Sequence, residues 1–116
     1  WWEDWKWIPP VKDFLPLNGV GGIMVEWDGT PVCAGFIYNT NSKVAWIDWI
    51  VSNNNFREKP HRKDGLNLLI QTLTDVARET KYKYVYAHNN NTNLINTFLA
   101  NGYLKGSKST ELIKNL

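Results

Sequence analysis

Leu66, Leu69, Ile70, Leu73, Val76 and Ala77 recur at intervals of three and four residues, which places them on one stripe of an α-helix running to about Thr80. A helix with one apolar stripe has to bury it, so the remaining chain must supply an apolar surface. The preceding sequence supplies one with a different period. Residues 23–27, 31–38 and 44–51 are rich in β-branched and aromatic side chains, and Asp28-Gly29 between the first two is a two-residue hairpin signal. After a polar turn at 39–42, the third run is apolar except at Asp48.

Further along, residues 82–87 predict another strand. Asn91 then fits as the cap of a second helix, whose apolar face is Leu94, Ile95, Phe98 and Leu99, and Gly102 suits its C-terminal stop. Residues 103–116 predict one strand, or two short ones broken near Gly106-Ser107. Three meandering strands, a helix, a strand, a helix and a terminal strand make an α+β fold of three layers, with a mixed, mostly antiparallel central sheet and helices on both faces. At 116 residues the chain is the size of one domain, divided into a Trp-rich segment at 1–20 and a core at 21–116. Trp1, Trp2, Trp5 and Trp7 crowd the start, and Pro9, Pro10 and Pro16 restrict this segment to short helical or irregular pieces, with Trp1 and Trp5 on one helical face.

Several functions are disfavoured. A net charge of +2 is too small to argue for a nucleic-acid partner by itself, and such a partner is not expected. No apolar run reaches the roughly 20 residues of a membrane span, and Glu3 and Asp4 near the start do not fit a signal peptide, so a cytoplasmic location is expected. Cys33 is the one cysteine, and His61 and His88 are the two histidines. Neither a disulfide nor a metal site is expected from that set, and Cys33 reads as a small buried apolar residue. Gly19-Val20-Gly21-Gly22 precedes a strand, which is the wrong context for a dinucleotide fingerprint. The chain does not begin with Met, which leaves open whether residues precede Trp1.

The stretch from Val51 to Asn67 carries the chemistry. A strand runs there into a basic loop holding Arg57, Lys59, His61, Arg62 and Lys63, with Asp64 as the expected cap of the long helix. Free amides, the positive end of a helix dipole and the surrounding cations favour an anion, whereas a merely solvated loop is the alternative. Arg62-Lys63-Asp64-Gly65-Leu66-Asn67 resembles the Arg/Gln-x-x-Gly-x-Gly/Ala signature of the GNAT superfamily of N-acetyltransferases. Asn91, Leu94, Ile95, Phe98, Gly102 and Tyr103 fall at the spacing of that family's Asn-x-x-Ala-Ile-x-x-Tyr-x-x-x-Gly-Phe segment. The two motifs stand in the right order on the right elements, and the resemblance covers residues 20–116.

The resemblance implies acetyl-CoA as cosubstrate, no metal, and an amine acceptor of unknown identity that attacks the thioester directly in a ternary complex. It implies that the backbone of Trp49, Ile50 and Val51 pairs with the pantetheine arm and offers an oxyanion amide. The amides of Arg62, Lys63, Asp64, Gly65, Leu66 and Asn67 would hold the pyrophosphate, with Arg57, Lys59 or Lys63 reaching the other phosphates. Asn91 would lie beside the pantetheine arm. Phe98 stands where many members carry a proton-donating Tyr, which leaves Tyr103, a water or an unassisted thiolate to complete the step. Asn67 replaces the family's Gly or Ala. Asp48 and Glu26 are the candidate bases, and strict alternation would put Asp48 on one face with Val44, Trp46 and Ile50. The N-terminal part is shorter than the family's, so the Trp cluster either walls a reduced acceptor pocket or docks on the sheet or on a second subunit, which keeps a homodimer open. His61 reads as a phosphate contact or a solvated loop residue, and His88 has no evident partner. Two rivals remain: an acyl-CoA-binding module of the same fold without catalysis, and a Trp-rich interaction or nucleic-acid-binding domain.

Overall fold

The computed structural model describes residues 1–116. Four strands, β1 (Gly22–Trp27), β2 (Thr30–Tyr38), β3 (Val44–Ser52) and β4 (Tyr84–Ala87), form one sheet in the order β1-β2-β3-β4. The first two pairs are antiparallel and the last is parallel. A parallel neighbour requires a crossover, and α1 (Pro60–Glu79) provides it between β3 and β4, after which α2 (Thr92–Ala100) follows. Asp28 and Gly29 both take left-handed backbone angles (φ 51° and 78°), the combination a tight hairpin of this twist demands.

Val32, Cys33 and Ile47 of the sheet meet Leu69, Ile70 and Leu73 of α1, all within 1% of complete burial, and Leu94 and Phe98 of α2 join the same cluster. Both helices therefore share one core. Tyr38 and Trp46, neighbours in the register of β2 and β3, point to the other side of the sheet from the adjacent pair Ile37 and Ile47. That face receives the N-terminal segment, built of short 3-10 turns at Glu3–Trp5, Lys12–Phe14 and Pro16–Gly19. The third layer is thus thin, because the prolines of this segment interrupt any longer helix.

Two expectations need correction. The long helix starts at Pro60 and not at Asp64: Pro60 occupies the first helical position, where its missing N–H costs nothing, and Lys59 precedes it in extended conformation. Residues 103–116 form no strand. Lys105 to Thr110 carries no apolar alternation that could fix a register, and Leu104 and Leu112 stay exposed. No helix is long and apolar enough to cross a membrane.

Candidate functional site

β3 and β4 pair from Val44 opposite Tyr84 to Ile47 opposite Ala87, and β4 ends there while β3 continues to Ser52. A slot opens beside residues 48–52 of β3. Within the same stretch β3 bulges against β2: Phe36 lies opposite Asp48, but Ala34 lies opposite Val51. The extra residue twists Trp49 to a φ of 54°, an uncommon conformation for a bulky side chain. Asp48 Oδ1 accepts a hydrogen bond from Trp49 N at 2.7 Å, and the Trp49 ring meets Trp2 and Phe14 edge-on, each at 6.4 Å. Alternation fails at the bulge. Ile50 turns to the core, where its Cγ1 would touch a Cβ added at Gly35 together with Leu69 and Leu73, so Ile50 does not share the face of Asp48 as strict alternation requires.

The slot ends at Ser52. Asn53 N donates to Val32 O at 2.7 Å, so the preceding carbonyl, that of Ser52, turns away from β2 and toward the slot. Trp5 Nε1 donates to it at 2.7 Å. Beyond lies the start of α1, where His61 Nδ1 and Arg62 Nε are buried without hydrogen-bond partners. The Arg62 guanidinium sits 4.9 Å from the Trp5 ring and the His61 ring 4.1 Å from that of Trp27. Arg62 N donates to Lys59 O at 3.2 Å. Both side-chain nitrogens lie at the positive end of a 20-residue helix, with Arg57, Lys59 and Lys63 exposed around them, an arrangement whose field favours an anion.

The early start of α1 moves the other motif residues. Asp64, Gly65, Leu66 and Asn67 lie inside the helix, where the N–H groups bond to the preceding turn. Their amides are not free to cradle a pyrophosphate. Gly65 and Leu66 are buried; a Cβ at Gly65 would stand 3.0 Å from Val32 Cγ1, so this glycine lets α1 approach β2. Asn67 Oδ1 accepts from Asn101 Nδ2 at 2.9 Å and ties α1 to the end of α2. Asn91 caps α2, its Oδ1 accepting from Leu94 N at 3.1 Å. Phe98 is buried in the shared core, edge-on to Tyr103 at 4.9 Å.

Of the three candidate catalytic groups, the structure brings only Asp48 to the slot. Tyr103 is hydrogen-bonded to Thr74 Oγ1 at 2.6 Å, about two and a half turns along α1 from Gly65, and burial pushes its phenol pKa up. Glu26 is exposed opposite Pro31, beside the β1–β2 turn and at the far end of β2 from Tyr38. Cys33 is fully buried and its thiol is pushed up to about 12, which makes it inert as a nucleophile.

Next to Asp48, on the face away from α1, an open pocket of about 350 Å³ is lined by Phe14, Tyr38, Thr40, Trp46, Asp48 and Trp49. Burial raises the Asp48 carboxyl above its ordinary range; the Trp49 amide and His88 draw it back, and Glu111 raises it further. Tyr38 is pushed to about 12 by burial and by the charge of Asp48, and its hydroxyl donates to Phe14 O at 2.6 Å. His88 stacks on Trp46 at 4.8 Å and lies 3.2 Å from Ser109 Oγ. Phe14, Tyr38, Thr40 and His88 escaped the sequence reading. Tyr38 had a signal, since it pairs across the sheet with Trp46 on the Asp48 face, but Phe14 and His88 arrive through tertiary contacts that no local pattern announces.

No family model and no curated protein sequence matches the chain. Solved structures do. An aminoglycoside acetyltransferase from an uncultured soil metagenomic sample, crystallised with sisomicin, superposes with a TM-score of 0.59 at 11% identity over 82% of this chain and 64% of its own. The ribosomal-protein-alanine N-acetyltransferase of Brucella melitensis biovar Abortus 2308 gives a TM-score of 0.58 at 18% identity, over 81% and 68%. The aminoglycoside N-acetyltransferase AAC(6')-Iy in complex with CoA gives 0.56 at 14%, over 82% and 75%. The fold is that of the GNAT acetyltransferases.

Proposed function

We propose that this protein is an acetyl-CoA-dependent N-acetyltransferase. The observation that carries the reading is one continuous path: a bulged and unpaired end of β3 runs into a helix start where Arg62 Nε and His61 Nδ1 lack partners. Similar structures include one holding CoA, which supports the same reading. In this reading residues 21–116 hold acetyl-CoA, with the pantetheine arm along residues 49–52 and the pyrophosphate at His61, Arg62 and Lys63. Asn91 and the side of α2 flank the arm, and residues 1–20 complete the acceptor side.

The chemistry follows from the placement. An ammonium acceptor gives its proton to Asp48, whose desolvated carboxylate is a stronger base than an exposed one. The neutral nitrogen attacks the thioester carbonyl and a backbone amide of the bulge stabilises the oxyanion; as the C–S bond breaks, the nitrogen, cationic after forming the N–C bond, releases its second proton to water. Asp48 or a water returns a proton to the CoA thiolate, since Phe98 has none to give and the Tyr103 hydroxyl is engaged with Thr74. No covalent intermediate on the protein is needed, and the reaction proceeds in the cytoplasm, where acetyl-CoA is available.

Calorimetric titration with acetyl-CoA and with CoA tests the proposal. Micromolar binding of both, weakened at least roughly tenfold in Arg62→Glu by loss of a charge-assisted contact, is the expected result. Absence of binding at low salt would sink it.

A further inference from the structure

Resting on the acetyl-transfer reading, we propose that the cavity beside the bulge accepts a small primary amine with a single positive charge on an apolar or aromatic stem. Asp48 is its counter-ion, and Trp46, Trp49, Phe14 and Tyr38 hold the stem.

The polar groups lining the cavity decide the charge. The Tyr38 phenol stays neutral throughout the physiological range and its hydroxyl is committed to Phe14 O. Thr40 Oγ1 donates to Val44 O at 2.6 Å and contacts Ser42 Oγ at 3.1 Å. Both hydroxyl oxygens can still accept a hydrogen bond but neither is charged, so Asp48 is the one lining group that can neutralise an ammonium. A second ammonium inside would meet aromatic carbon and no carboxylate, and an unpaired charge in such a place carries a heavy desolvation penalty. The outlying groups do not change this count. His88, stacked on Trp46, brings no negative charge, and Glu111, whose charge is felt at Asp48, belongs to the exposed tail outside the lining.

The walls decide the stem. Four aromatic side chains line the pocket beside one carboxylate, so an alkyl or aryl stem gains contact area while ring faces also favour the ammonium at its end. The volume, about 350 Å³, lies at the lower end of the range of about 300–1,000 Å³ for small-molecule sites. That size favours a single ring or a short chain. A polycation exceeds the negative charge of the lining.

The test uses the whole protein and two amines, phenethylamine with one charge and spermidine with three, each titrated calorimetrically with and without saturating CoA. Phenethylamine should bind at least about tenfold more tightly than spermidine, and Asp48→Asn should weaken it by roughly the same factor. Equal or tighter binding of spermidine, or no binding of phenethylamine under either condition, would overturn the assignment. The CoA titration separates the two levels of argument. If CoA binds but phenethylamine does not, the acceptor class is wrong and acetyl transfer stands. If phenethylamine binds with the stated preference but CoA does not, the amine pocket stands and acetyl transfer fails. The wild-type titrations alone decide these outcomes, so an unfolded variant would not shelter the proposal.

Discussion

Asp48 has two opposing properties: burial makes its charged form costly, and the amide of Trp49 is aimed at it. Burial prevails, so the carboxyl titrates higher in the folded protein than in the unfolded chain. The sign of the linkage follows. Below the unfolded value both states are protonated and Asp48 costs nothing; as pH rises through the folded value, the native state must carry a buried charge and stability falls. Asp48→Asn keeps an oxygen for the Trp49 amide but removes that charge. The variant should therefore melt at a higher temperature than the wild type at pH 7, with the difference vanishing in acid below the ordinary carboxylate range. Thermal scans across pH would show this, and a variant less stable at pH 7 would mean that the carboxylate is held by contacts stronger than its desolvation. Stability gained together with turnover lost is the signature expected where a group serves chemistry against the interest of the fold.

The elements were largely legible, and where they were not the physics is specific. The hairpin, the three long strands and both helices follow from apolar periods of two and about 3.6, which every residue of an element reinforces. The bulge in β3 was not legible, because Val44 to Val51 contains no glycine to announce a left-handed residue; Trp49 adopts it under contacts from Trp2 and Phe14, far away in sequence. The start of α1 was hidden because Lys59 gives no side-chain cap, while Asp64, a good capping residue type, lies inside the helix. The GNAT resemblance assigned free amides to residues 64–67, which lie inside α1; the helix start falls one turn earlier. The N-terminal turn Glu3–Trp5 has a consequence of its own, since Trp5 covers Ser52 O and Arg62 at the end of the slot. If the cofactor occupies that slot, the Trp5 contact must open first. Removing it in Trp5→Ala should tighten CoA by roughly two- to tenfold, the range equivalent to a net hydrogen bond of about 0.5–1.5 kcal/mol. Weaker binding in the calorimeter would instead make Trp5 part of the cofactor site.

At the scale of the molecule the two faces of the sheet are unequal. One bears α1 and α2 over fully buried Ile47, Leu69, Ile70 and Leu73; the other bears 3-10 turns in which no residue is buried to the same degree. Segments with few buried apolar groups open at lower free energy than the core, so residues 1–20 should exchange their amide hydrogens well before those of β2 and α1. The pocket couples this weak layer to the proposed acceptor site, because Phe14 comes from the segment and Trp49 is held by Trp2 and Phe14. A ligand that needs these walls in place binds the docked segment in preference to the open one, and by linkage it stabilises docking in proportion to its saturation. Saturating phenethylamine should therefore slow deuterium uptake in residues 1–20 several-fold, while Leu69, Ile70 and Leu73 change far less, since opening of the segment leaves their core intact. Uptake at 1–20 as slow as that of α1 before any amine is added would mean that the segment belongs to the same cooperative unit as the core, and the acceptor face would then be rigid in advance of its ligand.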